Sequence, residues 1–298
     1  MEQQRKRHRK DRRDGYYVQD LDSFHVFLPY LHRNRTECEA FISERVDLTN
    51  ILAYLEAKNK DNDGSAYSIF QVLATALIKT MTLRPALNRF VAGRRIYQRE
   101  TVSLAFIAKK DFTDTGVEGI LSMNFGPDTT LETVRDKFTS TVKQSREGHV
   151  DNNSDIMDKL ANLPRWMLRL IMLILRTLDF YGKVPYSLIK EDPNYCSAFL
   201  TNLGSIGLNS GYHHLNNWGT NSVFMVVGKK HPAIFVDKDH NITVKTALDL
   251  GITLDERLAD GFYYARSIRL LNHLLQNPHL LELPASEEVS YRGSSMIF

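Results

Sequence analysis

Apolar residues recur along this chain at two spacings, and the alternation between them sets out a mixed order of helices and strands. Phe70, Leu73, Leu77 and Met81 return at steps of three and four behind Ser68, which predicts a serine-capped helix. Residues 130–144 repeat that period. So do residues 262–275, where Phe262, Ala265, Ile268, Leu271 and Leu275 share one face. A shorter helix is expected over 48–58, opened by Asp47. Segments 24–31, 39–47, 102–108, 197–203, 222–228 and 242–254 read as extended. Residues 58–65 form a polar loop, Pro85–Asn88 ends a helix, Gly93-Arg94-Arg95 turns between strands, and 147–158 is a polar connector. No internal repeat interrupts the pattern, which predicts a layered α/β or α+β sandwich.

One stretch is almost continuously apolar. Residues 166–178 reach only about two-thirds of the length a bilayer span requires, and Arg169 and Arg176 interrupt them. At about 100° per residue, Arg165, Arg169 and Arg176 fall within roughly 40° of one another on a helix. A helix buried in the protein or at an oligomer contact is expected, with interfacial membrane contact or an acyl-chain tunnel wall as the alternatives.

With 298 residues, 43% hydrophobic and 24% charged, the chain can bury a sizeable core as one large or two small domains. A net charge of +3 does not argue for nucleic acid. The basic run Arg5-Lys6-Arg7-His8-Arg9-Lys10, with Arg12-Arg13, is expected to be a solvated, frayed terminus; phosphate contact is the alternative. No secretory leader pattern opens the chain, and Cys38 and Cys196 have no metal-ligand spacing. A reducing cytoplasm and no metal are therefore expected.

Three blocks carry a family likeness. The first is a helix leading to Arg84-Pro85-Ala86-Leu87-Asn88. The second is Phe199-Leu200-Thr201-Asn202-Leu203-Gly204-Ser205-Ile206-Gly207. The third is Leu254-Asp255-Glu256-Arg257-Leu258-Ala259-Asp260-Gly261, with Asn277-Pro278 after the last helix. In this order they resemble the catalytic domain of the 2-oxo acid dehydrogenase (dihydrolipoamide) acyltransferases, and more loosely chloramphenicol acetyltransferase. The resemblance implies a chloramphenicol acetyltransferase-like α/β sandwich over 16–284, with an apolar helical insertion around 160–190. A basic terminus (1–15) and a tail (285–298) would flank it. It further implies a homotrimer whose active sites lie in channels between subunits, and acyl-coenzyme A as substrate. No lipoyl-lysine segment is visible, so no lipoyl group and no role as a dehydrogenase-complex core are expected.

Transfer from a thioester needs a base for the acceptor and a donor for the tetrahedral oxyanion. The resemblance assigns the donor to Thr201, which is also simply a good strand residue. It places Glu256 where the family has its general-base histidine. Free imidazole titrates near ~6.5 and a free carboxyl near ~4.3, so the exchange removes roughly two units of proton affinity. Apolar burial would restore some of it, Asp255 would help, and an inward-pointing Arg257 would oppose. His213 and His214 offer a replacement base of suitable intrinsic pKa. Asp260, which the family holds with an arginine, is expected to anchor the motif; Asn202 and Trp218 are candidate substrate contacts. The reading is a coenzyme A-dependent acyltransferase, and the alternative a catalytically silent binding or scaffolding subunit.

Overall fold

The computed structural model describes residues 6–60, 62, 64–109, 118–146 and 160–291. Its strands are β1 (Tyr16–Tyr17), β2 (Glu39–Asp47), β3 (Arg89–Ala92), β4 (Arg95–Gln98), β5 (Val102–Lys109), β6 (Glu118–Phe125), β7 (Ala198–Asn202), β8 (Val223–Val227), β9 (His231–Val236) and β10 (Ile242–Asp255). Its helices are α1 (Ser23–Leu31), α2 (Thr49–Lys60), α3 (Ile69–Leu83), α4 (Leu131–Arg146), α5 (Arg165–Phe180), α6 (Tyr186–Glu191) and α7 (Gly261–Gln276).

Strand β10 is long enough to serve three partners. Its first half pairs with β9 and its second half with β2 and β8, all antiparallel. The main sheet runs β2-β10-β8-β7-β5-β6, with β9 off that path, and β7 lies parallel to both β5 and β8. A small second sheet orders β1-β4-β3.

Period-2 alternation then decides the two faces of the main sheet. Leu248, Leu250, Ile252 and Leu254 of β10 join Ala198 and Leu200 of β7 and Val223 and Met225 of β8 under α2, α3, α4 and α7. The opposite face carries Ala105, Phe199, Phe224 and Val226, with Leu215 laid over them. Helix α3 is the central rod: Ser68 and Gln71 form a reciprocal capping box, and every residue from Gln71 to Met81 is buried. Even Lys79 is enclosed, donating from Nζ to the Pro284 carbonyl at 2.7 Å.

Four expectations change. Residues 24–31 are helix α1, not a strand: the Asp22 side chain accepts from His25 N and caps the start, while Phe24 and Phe27 of its aromatic run stand in solvent. Strands β3 and β4 flank the turn expected at Gly93, while β1, β6 and β9 join the sheets beyond the segments expected. Helix α5 has no fully buried residue: Met167, Leu168, Ile171, Leu175 and Leu178 are partly covered, and its other apolar side chains stand exposed. Arg12, expected in a frayed terminus, is buried because Asp14 and the Asp179 side chain both accept from its guanidinium, at 2.8 and 2.9 Å. The connector 147–158, Arg5 and residues 292–298 of the tail lie outside the described residues; Ala285, where the tail begins, is packed into the core.

The β3–β4 turn places α5. Gly93 and Arg94 both have positive φ, the backbone of a tight hairpin turn. A Cβ at Gly93 would collide with the Phe180 carbonyl, so the turn abuts the end of α5.

Candidate active site

The corner between β10 and α7 is held by a buried charge cluster. The Asp255 carboxylate is wholly enclosed and accepts from Arg257 Nε at 2.8 Å and Nη2 at 2.7 Å, with Arg35 Nε at 3.8 Å. Arg257 also donates to the His32 and Arg33 carbonyls, and Arg35 to the Asn216 and Gly219 carbonyls. Burial lowers the Arg35 pKa to about 10; Asp255 opposes that fall and Arg257 adds to it. Tyr264 OH donates to the Asp255 carbonyl at 2.6 Å, and burial pushes that phenol well up.

Both arginines therefore close on Asp255, and Arg257 is turned away from duty beside Glu256. The Glu256 amide donates to the Cys38 carbonyl at 2.9 Å, fixing the backbone, while its side chain is exposed. Asp260 is exposed as well and caps α7, accepting from Tyr263 N at 2.7 Å. Beneath this corner lies a cavity of about 400 Å³ bordered by Arg84, Arg89, Asp260, Tyr263 and Arg266, with Asp22 and His25 also on its lining. A larger cavity of about 590 Å³ between α3 and α4 holds none of the candidate residues.

Thr201 lies near the end of β7, half-buried, on the sheet face away from the helices. Asn202 follows it, and its side chain accepts from Ser205 N, capping a short 3-10 turn. The chain then returns over this same face. Gly251 permits the crossing, because a Cβ there would strike the Gly211 carbonyl. The Leu215 amide donates to the Glu39 carboxylate at 2.5 Å, and Glu39 is the register partner of Asp255. The segment from Gly211 to Leu215 thus spans from the middle of β10 to the charged corner.

His213 and His214 stand on that crossing. The His213 ring stacks on Phe224 at 4.2 Å and on His214 at 4.5 Å. Phe224 stacks on Phe199, which shares its sheet face with Thr201. Both histidines are exposed. Trp218 packs edge-on against Tyr195 and donates from Nε1 to Asp192 at 2.6 Å.

Strand register separates the two residues on which acyl transfer would depend. Thr201 is level with Val226, and Val226 with Gly251. Glu256 is five residues beyond Gly251, roughly 17 Å along the strands and about 10 Å across them. One protomer brings Thr201 and the histidines to one face but does not bring Thr201 to Glu256. The sequence reading missed the partners of Asp255, although Asp255 and Arg257 flank Glu256 and were visible as a pair. Arg35 and Glu39 carried no local signal.

Residues 188–283 match the family described as 2-oxoacid dehydrogenases acyltransferase (catalytic domain). That span contains Thr201, Asn202, His213, His214, Trp218, Glu256 and Asp260. No curated protein sequence matches the chain significantly. Among solved structures, the cubic core of a pyruvate dehydrogenase multienzyme complex superposes with a TM-score of 0.59 at 14% identity, over 90% of this chain and 95% of that one. The dihydrolipoamide acetyltransferase of Azotobacter vinelandii gives the same TM-score, identity and coverage. A probable dihydrolipoamide acetyltransferase from Listeria monocytogenes gives 0.58 at 14% identity, over 85% and 88%. Residues 188–283 therefore carry the sequence pattern of the 2-oxoacid dehydrogenase acyltransferase catalytic domain, on a chain whose fold is that of the dihydrolipoamide acetyltransferase cores.

Proposed function

We propose that the protein is an acyltransferase that moves an acyl group from an acyl-coenzyme A thioester to a second nucleophile, working as a homotrimer. The observation that carries this is the register gap. Thr201 and Glu256 lie in the one segment that matches the family, yet the register parts them by roughly 17 Å along the strands, so in this reading a second copy opposes them. The Azotobacter enzyme's catalytic mechanism involves a serine, a histidine and an asparagine, the last two four residues apart. Thr201, Glu256 and Asp260 keep a hydroxyl and the spacing of four.

In this reading Glu256 of one copy takes the proton from the acceptor, whose lone pair attacks the thioester carbonyl. The Thr201 hydroxyl of the neighbouring copy donates to the oxyanion, the C–S bond breaks, and coenzyme A leaves as the thiol with that proton. A neighbour covering Glu256 would remove it from water and strengthen it as a base. Two buried free cysteines fit a reducing cytoplasm.

A second reading has its own observation: Glu256 is open to solvent in the protomer, which suits a silent family relative that binds without turnover. Acyl-coenzyme A incubated with an acceptor panel and a thiol reagent separates the two. Loss of thiol release by about 10²-fold or more in both Glu256→Gln and Thr201→Val supports transfer at this site. Thiol release that needs His213 or His214 but not Glu256 moves the base to the crossing segment. Binding of acyl-coenzyme A with no release by the wild-type protein supports the silent relative.

A further inference from the structure

Helix α5 presents two parallel stripes to solvent, one apolar and one cationic. Trp166, Leu170, Leu173 and Ile174 are 66, 49, 63 and 50% exposed. Arg165, Arg169 and Arg176 are exposed too, and at about 100° per residue they run beside that apolar stripe on the same outward half of the helix. The inward half (Met167, Leu168, Ile171, Leu175, Leu178) is the only side even partly covered. The single acidic residue of α5, Asp179, is spent on Arg12. Its outward charge is thus of one sign.

The surroundings extend the same chemistry. The buried Arg12 ties the basic arm to the end of α5, which puts exposed Arg9, Lys10 and Arg13 close by. Phe180 and Tyr181 end the helix exposed, against the β3–β4 turn. On that turn the Arg94 guanidinium lies over Tyr30 of α1, 5.4 Å from the ring centre, and α1 exposes Phe27, Tyr30 and Leu31. Among the described residues no helix is long and apolar enough to cross a membrane.

We propose that α5, with the basic arm at its end, is a docking surface for an anionic lipid bilayer, lying in the headgroup plane with Trp166, Leu170, Leu173 and Ile174 inserted and the arginine stripe against lipid phosphates. An exposed apolar stripe of this size needs a cover. A partner protein would have to match an all-cationic border, whereas an anionic leaflet supplies apolar depth and negative charge together. The catalytic reading is not required for this inference.

The test is sedimentation of the full chain with vesicles of phosphatidylcholine plus phosphatidylserine, against phosphatidylcholine alone. The protein is expected to pellet with the first and not the second, less at high salt. Trp166 emission should shift to the blue on binding, and Trp166→Phe should abolish the shift, since the other tryptophan is packed against Tyr195. Each of Arg165→Gln, Arg169→Gln and Arg176→Gln should lower partitioning about fivefold. These positions are exposed, and an unchanged melting curve will show that the variants fold. Failure to pellet with either vesicle, or a triple arginine variant that partitions like wild type, overturns the proposal. So does a Trp166→Glu variant that sediments as a smaller species than wild type, because the stripe would then be covered by a second copy. Vesicle binding by a wild-type protein that releases no thiol from acyl-coenzyme A would count against the acyltransferase reading alone.

Discussion

Replacing Asp255 by asparagine should damage this protein more than any exposed candidate substitution. The carboxylate is fully enclosed and carries two short bonds from Arg257, itself 2% exposed, with Arg35 at 3.8 Å and 6% exposed. A neutral amide in its place would leave two buried guanidinium groups without their counter-charge. Removing one partner of a buried pair costs about 3–5 kcal/mol. For a domain of this size each kcal/mol moves Tm by about 2–4 °C, so Asp255→Asn should melt roughly 10 °C lower by circular dichroism. The double variant Asp255→Leu/Arg257→Met should recover part of that loss. It removes both charges of the tight pair, and Arg35 keeps the Asn216 and Gly219 carbonyls as acceptors. An Asp255→Asn variant within about 0.5 kcal/mol of wild type would refute the reasoning, as would a double variant as unstable as the two single changes added together.

Three further outcomes follow from the same geometry. Burial raises the Cys38 thiol to about 11 and the Cys196 thiol to about 12, so neither should react with a disulfide reagent in the folded protein at neutral pH, and both should react after denaturation. Gly251→Ala drives a Cβ into the Gly211 carbonyl and should lift the segment carrying His213 and His214; about 1–3 kcal/mol of lost stability by urea titration is expected. Asp249 is held below its ordinary range by the Arg45 hydrogen bond and then by His231, and Glu282 by Lys58 and then Tyr54. Because their folded pKa values are depressed, their contribution is present above the free carboxyl range and lost as pH falls through the lower folded values. Stability should therefore drop on acidification below about pH 4, and Arg45→Gln should flatten that part of the profile.

Much of this fold was written in local pattern. The Ser68 cap with its three- and four-residue apolar steps gave α3, and β7, β8, β10 and α7 lie within a residue of the segments expected from their apolar runs. Residues 24–31 misled because Phe24, Val26, Phe27 and Tyr30 favour strands, and the Asp22 cap that turns them into a helix is a single residue outside the run. Helix α5 looked like core because hydrophobicity says that a side chain would gain from burial, not that anything in the protomer buries it. Motif likeness brought Thr201, Glu256 and Asp260 into view. It could not give the register that parts Thr201 from Glu256, since that depends on how β7, β8 and β10 pair across long separations in the chain.

If Thr201 is the donor and Glu256 the base, the distance between them has a genetic corollary. In a ring of identical chains, each working centre would borrow one half from each of two members, so two individually dead proteins could complement one another. Unfolded together and reassembled in equal amounts, Thr201→Val and Glu256→Gln chains would form hybrids in which about one quarter of the centres are intact. A protein whose centres were housed within single chains would give a mixture as dead as its ingredients.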